Sequence, residues 1–196
     1  MPTRGDIVVA NSVPAWSALA KGTQNKILSM GANDPAWIDA PTLASLISTQ
    51  IRNSMASAYL NADQNLSDAG WSKINMAHEN FDIGGNYDVS NYRYVAPVTG
   101  YYQVSWSVGF NYATHIKTAS AAIYVNGALV GQGGQYQVAG TAYLPYIILS
   151  GSRLLYVVSG QYIELYGYCD VDSGTPTADG DSPFNTTTMT VFLVST

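Results

Sequence analysis

From about residue 56 onward in the 196-residue chain, strand signals dominate, with runs in which apolar and polar positions alternate with a period of two. The clearest run is GYYQVSWSVGF. Here Tyr102, Val104, Trp106, Val108 and Phe110 alternate with Tyr101, Gln103, Ser105, Ser107 and Gly109. Successive side chains of a strand point to opposite faces, so this run predicts a half-buried strand. AAIYVNGALVGQ follows, with Asn126-Gly127 between two apolar runs. A two-residue hairpin turn needs positive φ at both central positions, which Asn and Gly tolerate. That turn predicts pairing of Val125 with Ala128, Tyr124 with Leu129 and Ile123 with Val130. LLYVVSGQYIELYGYCDV reads as two strands about Ser159-Gly160, and TTTMTVFLVST sets Met189, Val191 and Leu193 on one side. Short strands with turns every roughly 8 to 14 residues, and no helix between them, predict an antiparallel sandwich. Two-sheet jelly rolls carry about eight to ten strands, which matches the count.

The period changes upstream. Residues 41–55, PTLASLISTQIRNSM, place Leu43, Leu46, Ile47 and Ile51 at helical spacing on one face. Pro41 suits a first turn, and Thr42 or Asp39 can cap it. A helix this short is marginal alone. It packs either on the following domain or in a parallel bundle with copies of itself. Residues 1–40 hold only short apolar pieces, Ile7 to Val9 and Ile27-Leu28, broken by Pro14, Gly22, Gly31 and Pro35. Trp16 and Trp37 stand as isolated anchors. Such a segment cannot build its own core and is expected to lie on a neighbouring chain or a partner. The organisation expected is an arm (1–40), a short helical neck (41–55) and an all-β head (56–196).

Composition agrees with a packed β-domain. Apolar residues reach 47% and charged ones only 11%, the reverse of a disordered chain. Glu79 and Glu164 are the only glutamates. The net charge of −5 argues against phosphate-driven nucleic-acid binding. No run approaches the roughly 20 apolar residues of a membrane span, so no membrane insertion is expected. The opening MPTRGDIV shows no basic-then-apolar pattern, so no signal peptide is expected. Cys169 is the single cysteine, which excludes an intrachain disulfide. It alternates with Leu165 and Gly167 and reads as a small buried apolar residue.

Six pieces in order along about 140 residues resemble the globular head of the complement-one-q family, a jelly roll of the tumour-necrosis-factor type. They are WSKI at Trp71, the NFD and NYD at Asn80 and Asn86, RYVAPVTGYYQVSWSV, IYVNG, VVSGQYIEL and MTVFLV. Within the third, Tyr94, Ala96, Pro97, Val98, Gly100 and Tyr102 match the family's aromatic–x–Ala–Pro–Val–x–Gly–x–Tyr pattern. The late strand departs from it, with Gln161 where the family carries Asp. Gly100 permits a turn or a close backbone approach, and Pro97 sits at a strand end where no ladder donor is needed. The resemblance implies a trimer, a binding rather than a catalytic role, and a head core that includes Tyr94, Pro97, Gly100, Tyr102, Val104, Trp106, Val108, Phe110, Ile163 and Leu165.

The first segment resembles an N-terminal module of bacteriophage fibre proteins. Gly5-Asp6, Trp16 with Leu19, Gly22-Thr23, Ile27-Leu28 and Pro35–Ala36–Trp37 match its pattern. Asn25 replaces a glycine of that pattern and Lys26 its Gln, and Asn is the residue that best substitutes for glycine in a left-handed turn. The module implies docking on a virion, on tail or major capsid proteins, in a protein made in the host bacterial cytoplasm.

Candidate chemistry is sparse. His78 and His115, the only histidines, fall in no catalytic motif, and Glu164 reads as a surface or subunit-contact charge rather than a general acid. No enzyme activity is expected. In DVDSGTPTADGD, Asp170, Asp172, Asp179 and Asp181 cluster among Ser, Thr and Gly. Hard cations take several oxygens from such loops, so calcium is the candidate ion, although the pattern is not an EF-hand. Otherwise no cofactor is expected. The segment's polarity and length also predict an exposed loop for host contacts. Tyr101, Tyr136, Tyr143, Tyr166 and Tyr168 either pack between subunits or stack on sugars of a host surface. The functional expectation is a short trimeric phage fibre whose arm docks on the particle and whose head binds a host glycan or protein. The alternatives are a capsid-decorating knob and a non-viral bacterial interaction module.

Overall fold

Alternation along the strands is carried into two antiparallel sheets whose inner faces share one core. The computed structural model describes residues 54–111, 115–138, 144–180 and 185–196, together with four short upstream strands. The chain divides into two units, Met1–Gln50 and Ile51–Thr196.

In the first unit, β1 (Ile7–Ala10) pairs antiparallel with β2 (Trp16–Leu19), and β3 (Lys26–Met30) pairs with β4 (Pro35–Asp39). Ala10 lies opposite Trp16, and Leu28 opposite Trp37. The apolar pieces and tryptophans read as separate anchors are therefore partners in two hairpins, each satisfying backbone groups that an extended arm would leave to water. Gly5, Asp6, Gly22, Thr23 and the neck residues Leu43, Leu46, Ile47 and Ile51 lie outside the described residues. Met55, placed at the end of the expected helix, opens a strand instead.

The second unit contains β5 (Met55–Tyr59), β6 (Gln64–Asn65), β7 (Gly70–Lys73), β8 (His78–Ile83), β9 (Tyr87–Asp88), β10 (Arg93–Val95), β11 (Gly100–Asn111), β12 (Ile116–Val125), β13 (Ala128–Gln137), β14 (Tyr146–Val157), β15 (Tyr162–Val171), β16 (Thr177–Ala178) and β17 (Thr188–Ser195). One sheet has the order β13-β12-β15-β10-β9. The other centres on β11, which pairs with β14 on one side and with β17 and β16 on the other; β5 and β8 continue beyond β17, and β6 beyond β16. No described residue is helical.

The core lies between the sheets. Tyr102, Val104, Trp106, Val108 and Phe110 of β11 face Tyr94, Ile163 and Leu165 of the opposite sheet, all buried, with Met189, Val191 and Leu193 beside them. Burying each large apolar side chain contributes roughly 1.5–3 kcal/mol. Pro97 differs from its expected place in the core. It is exposed in the β10–β11 corner, where its carbonyl accepts a hydrogen bond from Ser159 Oγ at 3.0 Å.

Two local features depart from simple alternation. The Asn126-Gly127 turn has positive φ at both residues (50° and 77°) and pairs Val125 with Ala128 and Tyr124 with Leu129. Beyond it, Ile123 pairs with Gly131 rather than Val130, because β13 bulges by one residue. The strands flanking Ser159-Gly160 do not pair with each other: β14 joins β11, and β15 crosses to the other sheet. Gly160 makes that crossing at a φ of 85°, and its N–H donates to the Ala96 carbonyl at 2.8 Å.

Candidate interaction surfaces of the head

The outward face of the β11-centred sheet is banded. At one end, one row of paired positions crosses five strands: Leu154 on β14, Gln103 on β11, Phe192 on β17, Met55 on β5 and Ile83 on β8. Tyr101 and Tyr156 extend this row and meet edge to face with ring centroids 5.3 Å apart. These side chains are solvent-facing: Leu154 is 52% and Tyr156 60% exposed, and Phe192 and Ile83 are exposed as well. The next row is hydroxylic, running Ser152, Ser105, Thr190, Ser57. Ser105 bonds Ser152 at 3.1 Å, and Thr190 donates to Ser57 at 3.0 Å. The face thus carries an apolar band beside a row of side chains that bond one another.

The other sheet presents a different outward face. β7 crosses it, so that Trp71 packs on Tyr168 at 5.5 Å and on Tyr124 at 6.1 Å between ring centroids. Tyr124 lies 4.1 Å from Tyr166, and the Arg93 guanidinium sits 4.6 Å over the Tyr162 ring. Partial burial raises the Tyr124 and Tyr166 hydroxyl pKa values. Glu164, read as a surface or subunit-contact charge, is buried here and ion-paired with Lys73 of β7. The covering strand, invisible in local alternation, closes over it. Beside Trp71 opens a cavity of about 270 Å³ lined by Trp71, Thr118, Ser120, Gln132, Gln135 and Tyr168.

The acidic segment is exposed over residues 172–175 and packed over residues 176–180. Asp172 accepts from Lys117 Nζ at 3.1 Å and lies 2.6 Å from His115 Nδ1; these bonds, Lys117 first, lower its carboxyl pKa. Lys117 also lies 3.9 Å from Asp170. Asp179 is buried, where it accepts from the Tyr146 hydroxyl at 2.7 Å and from Thr186 Oγ1 at 2.9 Å. Its backbone N–H donates to Gly109 at 2.8 Å, because Thr177–Ala178 form β16 against the end of β11. The expectation of an exposed loop holds for residues 172–175, and from residue 176 to 180 it is corrected by that strand. Asp170 and Asp172 face cations, and Asp179 is turned into the sandwich. Among the described residues no group of three or more acidic, His or Cys side chains is arranged to hold a metal, and Asp181 lies outside them.

The remaining singled-out residues are dispersed. Leu28 of β3 is exposed. His78 packs its ring near Tyr59, at 5.7 Å. Tyr136 is half-buried against the core, and Tyr143 is outside the described residues. Of the cavity's residues, the chain pattern singled out only Trp71 and Tyr168. The signal for the others was GQGGQ: two glycines inside a strand mark a bulge.

No family model matches the sequence, and no curated protein matches it. Among solved structures the chain is similar to the Eiger TNF of S. frugiperda, with a TM-score of 0.55 and 11% identity over 72% of this chain and 92% of that one. It is similar also to murine APRIL, with a TM-score of 0.53 and 12% identity over 72% of this chain and 98% of that one. The head is a jelly roll of the tumour-necrosis-factor type. The globular domain of zebrafish complement 1qA aligns at a TM-score of 0.49 and 9% identity, over 72% of this chain and 97% of that domain. At such identities the likeness concerns the jelly-roll fold itself.

Proposed function

We propose that this chain is a structural protein of a bacteriophage virion: a short trimeric fibre whose N-terminal unit docks on the particle and whose jelly-roll head binds the host surface. The observation that carries the reading is the apolar band from Leu154 through Phe192 to Ile83 on the outward face of one sheet. A lone domain rarely presents so many large apolar side chains to water on one face, here interrupted within the row by Gln103. Packing of copies against this face removes it from solvent, and closed cyclic symmetry limits the assembly to a finite number of copies. The resemblance of the head supports three. The phage-type motif, from Gly5-Asp6 to Pro35–Ala36–Trp37, supports the docking role of the first unit. The head works by adhesion: its tyrosines and its cavity are recognition chemistry, while His78 packs beside Tyr59 and His115 lies in hydrogen-bonding contact with Asp172.

The test is deletion of residues 1–40. The strands of the head all begin later, so the truncated chain should sediment as a trimer of heads and fail to enter particles. Incorporation of the truncated chain would reverse the roles assigned to the two units. A label on the intact protein that lands on the capsid lattice, not the tail, would replace the fibre reading with capsid decoration.

A further inference from the structure

We propose that the cavity beside Trp71 is a binding site for one neutral pyranose sugar. The bulged register of β13 builds it. Ser120 pairs with Gln135, and Ala122 with Gln132, so two residues of β13, Gly133 and Gly134, stand opposite the single Ala121. In a regular strand, residues three apart face opposite sides. The extra residue of this bulge turns the amides of Gln132 and Gln135 to the same cavity. Ser120 sits at its base, buried, and receives a hydrogen bond from Gln132 Nε2 at 2.8 Å. That bond orients the Gln132 amide with its carbonyl oxygen as an acceptor. Thr118, on the same face two residues before Ser120, adds a hydroxyl, and Trp71 with Tyr168 supplies aromatic wall.

The chemistry selects the ligand. No lining residue is charged, so a phosphate or carboxylate finds no counter-ion; the nearby Lys117 is engaged by Asp170 and Asp172, and Lys73 by Glu164. A pyranose has one face of C–H groups, which suits an electron-rich aromatic face, and a rim of hydroxyls, which suits amides and hydroxyls that both donate and accept. The 270 Å³ is slightly below the roughly 300–1,000 Å³ of drug-sized sites, which is room for one ring and not for an extended chain. The cavity lies on the sheet opposite the apolar band, so packing of copies through that band leaves it open. Several copies on one particle convert weak single-site binding into useful avidity. The proposal deepens the adhesive reading of the head, but the cavity's chemistry does not depend on a phage origin.

The experiment uses the full chain and methyl glycosides of glucose, galactose, mannose and N-acetylglucosamine, followed by saturation-transfer NMR and tryptophan fluorescence. At least one glycoside should bind saturably in the millimolar range, with the strongest transfer to one C–H face. Trp71→Ala and Gln132→Ala should each weaken that binding about tenfold or more while circular dichroism and sedimentation stay native. Gln132 is exposed, so its variant carries the test if Trp71→Ala misfolds. Absence of saturable binding for every glycoside, or binding that survives Gln132→Ala, overturns the site. Sugar binding without adsorption to host cells would retain the site and sink the attachment reading. Adsorption with no sugar binding would do the reverse.

Discussion

Cys169 shows how burial governs a single side chain. It is fully buried on β15, and desolvation pushes its thiol from an ordinary 9.0 up to about 12. The thiolate is the reactive form, so the native thiol should be inert to a disulfide reagent at pH 8 and react stoichiometrically once the chain is unfolded. Rapid labelling of the native protein would contradict this placement. The linkage has a definite sign. Because the folded pKa is raised, the stabilising contribution is complete below pH 9.0 and is lost as pH rises toward about 12, where the unfolded chain ionises first. The sequence pattern alone suffices for this residue, because Cys169 shares parity with Leu165 and Gly167. It misleads for Glu164, which has outward parity yet is buried. Its cover is Lys73, 91 residues away, and no local pattern reports a neighbour that distant.

Among elements, β11 is the pivot, since it pairs along its whole length with β14 and on the other side with β17. Gly100 opens it. A Cβ there would meet the Ser195 carbonyl oxygen and would lie 2.8 Å from Leu193 Cδ1. The first obstacle is backbone of β17, which cannot move without disturbing its ladder. Gly100→Ala should therefore destabilise the head by about 1–3 kcal/mol through overpacking, read as a lower urea midpoint with an unchanged slope. An unchanged midpoint would mean that the end of β17 yields freely. That Gly100 serves a turn or a close approach was legible in the sequence, and the structure shows the close approach. Its partner, the end of β17, was not, because strand order is a long-range property.

At the scale of the molecule, the apolar band makes a prediction about assembly. Phe192 lies midway along the row and is exposed, so Phe192→Asp costs no core packing. It would instead bring a charge into an interface in every copy, where burial without a partner is costly. The wild-type chain should sediment near three times its 21.0 kDa at micromolar concentration. The Asp variant should sediment as a folded monomer. A wild-type monomer would remove the assembly reading, and a trimeric Asp variant would move the interface to another face.

Sequence alone determined the elements whose cause is local. Period-two alternation located β11, β15 and β17 with their buried sides, and Asn126-Gly127 placed one hairpin turn, because side-chain parity and φ preference act within a few residues. Tertiary structure decided whatever depends on which strands meet. It sent β14 and β15 to different sheets across Ser159-Gly160, turned Asp179 inward by drawing Thr177–Ala178 onto β11, and paired the upstream apolar pieces into hairpins. It also gathered Trp71, Ser120, Gln132 and Tyr168, from four strands, about one cavity. Pairing free energy is shared among many weak contacts between residues far apart in the chain, so it has no signature in any short stretch of sequence.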